Sequence, residues 1–154
     1  MALTLTSPAF SDQGAIPKRH TCQGPDLSPP LAWTGVSEAT KSLVLIVDDP
    51  DAPDPAAPKM TWVHWLLFNI PPQTQGLPEG VQRLPAGTQV GLNDFKTLRY
   101  GGPCPPIGRH RYFHTLYALD TCLALTHPSR DQLEAAMQGH ILEQAELMGT
   151  YQKF

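Results

Sequence analysis

Residues 42–69 read SLVLIVDDPDAPDPAAPKMTWVHWLLFN. Two apolar runs, Leu43–Val47 and Trp62–Phe68, flank a segment crowded with acids and prolines. Both runs are rich in β-branched and aromatic residues and have the length of strands. Pro50, Pro53, Pro55 and Pro58 each lack a backbone donor and fix φ near about −65°, so the segment between the runs is expected to be neither strand nor helix interior. The first strand then carries Asp48, Asp49 and Asp51 to its own end, and the second opens on Trp62 and His64. Carboxylates at a strand end beside the imidazole of a neighbouring strand form a candidate polar pocket. Taken alone, the same residues also suit a solvated acidic loop.

Working outward, the 154 residues fit one domain, 1–154, that needs neither disulfide nor metal to fold. The 17 prolines and 12 glycines are spread along the chain and cut the apolar residues into short blocks, which favours a β-rich fold. The formal charge is −3, and the densest basic cluster is only Arg109, His110 and Arg111, so no nucleic-acid footprint is present. No apolar run reaches the length of a membrane span. The opening MALTLTSPAF lacks the charged and apolar regions of a secretory signal, so a cytoplasmic protein is expected. Cys22, Cys104 and Cys122 show no zinc-type or CxxC spacing and are expected to be reduced thiols.

Leu3–Thr6 and Leu31–Thr34 read as short strands, with a long Pro- and Gly-rich loop from Ser11 to Pro30 between them. Gln89-Val90 and Phe95 are candidate edge pieces. Tyr100–Ile107, YGGPCPPI, is expected to be an irregular loop on a rigid path. Tyr112–Leu119 reads as a third central strand, continued by Leu123–Leu125. Ser129 and Gln132 form a capping box, and the spacing of Leu133, Ala136, Met137, His140, Ile141, Ala145 and Met148 predicts a helix broken near Gly139 and stopped by Gly149. A last strand is expected over 150–154.

If the central strands are neighbours, Asp49, Asp51, His64, His110, Arg111 and Tyr112 converge. A metal site on Asp49, His64 and His110 has suitable ligand types, but no supporting spacing such as HExxH. The acidic run does not match a calcium loop, because Pro53 occupies a ligand position and the turn glycine is missing. There is no GxSxG elbow and no phosphate-cradling glycine loop, so neither a serine hydrolase nor a nucleotide cofactor is expected. Cys104 with His64 or His110 as base is a conceivable nucleophile, although the surrounding prolines favour a structural role. Histidine, arginine, a tyrosine hydroxyl and the amides of a glycine-rich turn are donors that suit phosphate or carboxylate. Nearby acids would favour charged histidines. His20, His114, His127 and His140 are expected to pack on the surface or a helix face.

DDPDAP at 48–53, WVHW at 62–65, and GGPCPP followed by GRHRY at 101–112 together resemble the phosphatidylethanolamine-binding protein family, whose animal members are also called Raf kinase inhibitor proteins. TCQGPDLSPPLAW at 21–33, GLNDF at 91–95, and the final Gln138-Gly139-His140 and Gly149–Gln152 extend the likeness over nearly the whole chain and point to a short bacterial branch. The resemblance implies a mostly β fold: a large central antiparallel sheet packed on a smaller one, with one or two short helices near the C-terminus. It also implies a small anion pocket of Asp49, His64, Gly102, Pro103, His110 and Tyr112, with Asp51, Trp62 and Arg111 in support. With the proline crowding it suggests a cis peptide at Ala52–Pro53 and an Asp51–Arg111 pair. The added C-terminal helix of animal members has no counterpart in the sequence up to Phe154, so their lipid and kinase partners are not carried over.

The function expected is capture of the phosphate or carboxylate end of a small ligand, without a cofactor, by a monomer or homodimer that could act on a kinase or protease partner. The alternatives are a small hydrolase or isomerase with His64 or His110 as general base, and an interaction protein whose pocket is vestigial.

Overall fold

The computed structural model describes residues 2–153. Strand β3 (Ser42–Ala52) lies at the centre of the larger sheet, between β4 (Met60–Ile70) and β7 (Arg109–Leu119). β6 (Gln89–Val90) and β8 (Ile141–Gln152) are its edges, giving the antiparallel order β6-β4-β3-β7-β8. A second antiparallel sheet joins β1 (Thr4–Thr6), β2 (Leu31–Thr34) and β5 (Gly76–Leu77). The only helix among the described residues longer than a single 3-10 turn is α1 (Arg130–Met137).

Period-two geometry explains why the apolar run in β3 is unbroken. Leu43, Leu45 and Val47 face the small sheet, where they meet Trp33, Leu67 and Tyr112. Val44 and Ile46 face the opposite way, against Leu66, Phe68, Leu133 and Met137. A strand covered on both faces can have no polar positions until it emerges, and β3 emerges at Asp48.

Several expectations need correcting. β3 runs on through Pro50 to Ala52 instead of stopping at the prolines. Its ladder with β7 ends at Asp48↔Phe113, and its register with β4 shifts between Asp49 and Ala52, so Pro50 stands where no ladder donor is required. The Ala52–Pro53 peptide is cis, as expected. Phe95 lies in a turn, and Leu123–Leu125 is not strand; Leu123 is held by two hydrogen bonds of 2.8 Å with the Asn69 side chain.

The helix is half the expected length. Its capping box forms in both directions between Ser129 and Gln132. Gly139 then takes φ +81°, a left-handed conformation that ends the helix, and the chain enters β8. Ala145, Leu147, Gly149 and Tyr151 alternate inward there, and pairing along the whole of β7 overrides the helical spacing. Gly149 is not a helix stop: a Cβ there would come within 2.5 Å of Ile16 and 2.8 Å of Phe10. The final strand ends at Gln152, and Phe154 lies outside the described residues.

Cys22 and Cys104 form a disulfide between the two long loops, with Cα atoms 5.4 Å apart; only Cys122 is free. The expectation of reduced thiols failed because sequence spacing does not show which loops the fold brings together. His20 and His114 are fully buried rather than superficial.

Candidate functional site

Three strand ends and one loop enclose a cavity of about 370 Å³. Its polar end is formed by Asp49 of β3, His64 of β4, and His110 and Tyr112 of β7. Ala52, Pro53, Met60, Trp62, Phe95, Pro105 and Pro106 supply the apolar lining, with the Trp62 and Phe95 rings edge to face at 5.5 Å. Lys59, exposed at the turn between β3 and β4, and Cys104 complete the lining.

His64 reaches the cavity because β4 bulges. The ladder steps from Val47↔Trp65 to Asp48↔Val63, which makes His64 the extra residue and re-aims its side chain. Nδ1 lies 2.6 Å from the Gly101 carbonyl oxygen, an acceptor, so Nδ1 carries the proton. In the neutral ring Nε2 is therefore a lone pair, while the backbone of Gly101 and Gly102 favours the charged form. Burial pushes the His64 pKa down to about 4, so the ring is neutral at neutral pH. The edges of Phe95 and Tyr112 hold it, with ring centroids at 5.4 and 5.2 Å.

His110 is engaged at both nitrogens. Nε2 donates to the Ile107 carbonyl at 2.8 Å, and Nδ1 lies 2.6 Å from Asp49 Oδ2. One proton is shared across that contact, and the pair has no net charge wherever the proton sits. Burial pushes the Asp49 carboxyl up, against the lowering effect of the His110 hydrogen bond. Asp49 Oδ1 is also engaged, accepting from the Asp51 amide at 2.7 Å.

Asp51 and Arg111 pair as expected, outside the cavity lining. The Arg111 Nε and amide both donate to Oδ2 and Nη2 donates to Oδ1, each at 2.9 Å. Those bonds hold the Asp51 carboxyl below the usual range. The Arg111 side chain is 51% exposed, so the pair is buried on one side only.

Gly102 and Pro103 do not line the cavity. The Gly102 amide donates to Asp26 Oδ1 at 3.0 Å, and the Pro103 carbonyl accepts from the Cys22 amide at 3.1 Å. A side chain at Gly102 would overlap the Asp26 carboxylate and the His20 carbonyl, so this glycine permits loop-on-loop packing. From Gly101 to Pro106 the Cys104 amide alone has no partner among the described residues. The Tyr112 hydroxyl likewise has none, and burial first of all raises its pKa, so it remains an O–H.

Asp49, His64 and His110 were weighed as metal ligands; among the described residues no group of three or more His, Cys, Asp or Glu is arranged to hold a metal ion. The disulfide removes Cys104 as a thiolate nucleophile. Sequence reasoning missed Lys59, Met60 and Phe95. Met60, Trp62 and His64 alternate along β4, a signal legible in KMTWVH; Phe95 had no such signal.

Residues 6–152 match the sequence profile of the family described as phosphatidylethanolamine-binding protein. A UPF0098 protein of the archaeon Methanothermobacter thermautotrophicus is 51% identical, covering 98% of this chain and 99% of the relative. The crystal structure of the phosphatidylethanolamine-binding protein homologue CT736 from Chlamydia trachomatis is 45% identical, with a TM-score of 0.92 over 99% of both chains. Escherichia coli YbcL is 31% identical, with a TM-score of 0.89 over 100% of both chains. The short branch is thus archaeal as well as bacterial. The mostly β, two-sheet architecture, the profile match and these relatives agree: the chain belongs to the phosphatidylethanolamine-binding protein family.

Proposed function

We propose that the chain is a ligand-binding protein that takes a small phosphate- or carboxylate-bearing molecule, anionic end inward. The observation that carries this is a cavity whose polar groups gather at one end, with apolar side chains walling the rest. The candidate donors are the Lys59 ammonium, the Tyr112 hydroxyl and the Cys104 amide; His64 is neutral and both nitrogens of His110 are already engaged, so neither is the free charged donor that the sequence suggested. Two or three charge-assisted hydrogen bonds give about 3–9 kcal/mol gross, against an association cost of at least about 4 kcal/mol. Bare phosphate should therefore bind on the order of millimolar, and an attached apolar group against Trp62, Met60 and Phe95 should tighten it.

Calorimetric titration at pH 6.5 with phosphate and with phenyl phosphate tests this. Phenyl phosphate is expected to bind at least tenfold tighter, and Trp62→Ala to remove most of that gain. No binding of either, or equal binding by Trp62→Ala, contradicts the reading. The hydrolase alternative predicts turnover of aryl phosphate or acetate esters, which the binding reading does not.

The expectation of a cytoplasmic protein followed from the absence of a secretory signal in the opening residues. The Cys22–Cys104 disulfide supports instead an oxidising compartment, or the intracellular disulfide use known in hyperthermophiles. No helix among the described residues is long and apolar enough to cross a membrane.

A further inference from the structure

We infer that the Cys22–Cys104 disulfide is a thiol-exchange site: a dithiol opens it in the folded chain, and opening it loosens one wall of the cavity and weakens ligand binding there. Only the part concerning binding rests on the anion-binding reading of the cavity. Both residues of the bridge are exposed, and exposed bridges are the ones that exchange readily. Neither belongs to the two apolar clusters that build the core, so the sheets keep their packing when the crosslink opens.

The bridge divides the loop after β6 into two parts. Before it, residues 100–103 are held without the sulfurs. The Tyr100 hydroxyl donates to the His20 carbonyl at 2.7 Å, the Gly102 amide to Asp26 Oδ1 at 3.0 Å, and the Cys22 amide to the Pro103 carbonyl at 3.1 Å. His64 binds both polar groups of Gly101, its Nδ1 the carbonyl at 2.6 Å and its own carbonyl the amide at 3.1 Å. After the bridge, Cys104, Pro106, Ile107 and Gly108 are exposed, Ile107 at 53%. Among the described residues, the one hydrogen bond that ties 104–108 back runs from His110 Nε2 to the Ile107 carbonyl at 2.8 Å. Gly108 closes the stretch at φ +74°, a hinge conformation that glycine adopts without strain. Cys104, Pro105 and Pro106 of this stretch line the cavity. The crosslink therefore fixes one end of the wall and His110 the other. A wall fixed in advance spares a ligand the cost of ordering it, and a loosened wall restores that cost.

The exchange balances. A thiolate of the dithiol attacks one bridge sulfur; the Cys22–Cys104 bond breaks as a mixed disulfide forms, and the released sulfur takes a proton from water. The second thiolate of the dithiol then attacks the mixed disulfide, closes its own disulfide ring and releases the other cysteine as a thiol. The protein gains two electrons and two protons, and the dithiol loses as many. With no CxxC spacing of its own, the chain is the substrate of the exchange and not its catalyst.

The test treats the disulfide-intact protein with dithiothreitol, without denaturant, and repeats each measurement after re-oxidation. Free thiols should rise from Cys122 alone to all three cysteines. In proton–nitrogen spectra the amides of Cys104, Ile107 and Gly108 and the ring of His110 should shift. The amides of Val44–Val47 and the ring of His64, anchored ahead of the bridge, should stay in place. Affinity for phenyl phosphate should fall about fivefold and recover on re-oxidation. Cys22→Ser with Cys104→Ser should reproduce the reduced spectrum with no dithiol present. A bridge that resists dithiothreitol until the protein is denatured, a reduced protein that unfolds, or a folded reduced protein with 104–108 and the His110 ring unmoved overturns the inference, as does unchanged affinity. If phenyl phosphate binds neither form, the anion-binding reading fails instead, and the amide and ring shifts alone decide this inference.

Discussion

Asp49 and Asp51 lie two residues apart at the end of β3 and are almost equally shut off from solvent, at 3% and 5% exposure. Burial raises one carboxyl, while the partner of the other lowers it. The partner and its surroundings make the difference. Asp51 meets a guanidinium that is half in water, donates through a planar fork and cannot give up its proton. Asp49 meets an imidazole as buried as itself, with which it shares a proton and cancels charge. One strand end thus has a charged clamp toward solvent and a neutral network toward the cavity. A family motif such as DPDAP names both aspartates but does not say which is which.

The largest expected effect sharpens this contrast through pH. His64 and His114 are pushed down to about 4 by burial, below the usual 6.5 of an unfolded histidine. Their contribution to stability is therefore present above pH 6.5 and lost as pH falls through about 4. At about 1.4 kcal/mol per pKa unit, each is worth about 3 kcal/mol. Asp48, raised to about 6 chiefly by burial, has the opposite sign and returns about 3 kcal/mol over the same acid range. Stability measured by urea unfolding should fall by about 3–4 kcal/mol from pH 6.5 to pH 4, and His114→Leu should remove most of that loss. The lowered Asp51 clamp should survive that range and be lost only in stronger acid. Stability flat or rising from pH 6.5 to pH 4 would mean that the neutral network is charged after all.

Breaking the cavity side comes next. Cys22→Ser with Cys104→Ser releases a crosslink spanning 82 residues and should cost about 3 kcal/mol. Anion affinity should fall as well, since Cys104 lines the cavity. A full loss of stability with unchanged affinity would separate the loop from the site. Breaking the solvent side, Arg111→Ala should cost about 2 kcal/mol, between the small worth of exposed pairs and the about 3–5 kcal/mol of buried ones, because water screens half of the guanidinium. Affinity for phenyl phosphate should stay within twofold. A tenfold loss would place Arg111 in the site. The smallest effect is that of Lys59→Ala: a solvated cation at the rim should be worth about 1 kcal/mol of binding, about fivefold, shrinking with added salt.

The framework was legible because its strands are covered on both faces: unbroken runs such as Leu43–Val47 admit few alternatives. The C-terminal third was not, because 141–151 satisfies helical and strand periods at once, and the choice is made by β7, a partner distant in sequence. Part of the cavity lining was legible through the family resemblance: Asp49, His64, His110, Tyr112 and Trp62 line one cavity. Its chemistry was not. The neutrality of His64 comes from burial and its tautomer from the Gly101 carbonyl 37 residues away, and His110 is tied to Asp49 61 residues away, contacts that no local pattern encodes. The Gly102 amide and the Pro103 carbonyl bond to the loop that carries Asp26 and Cys22, a packing of two distant loops that no local pattern encodes.

The most direct test of the neutral acceptor at the heart of the cavity is a long-range proton–nitrogen NMR spectrum of the histidine rings at pH 7, before and after addition of phenyl phosphate. The account predicts His64 with its proton on Nδ1 and a bare Nε2, whose resonance moves toward that of a hydrogen-bonded nitrogen when ligand is added, while His127 and His140 stay in place. A doubly protonated His64 in the free protein, or an Nε2 resonance indifferent to saturating ligand, would contradict it.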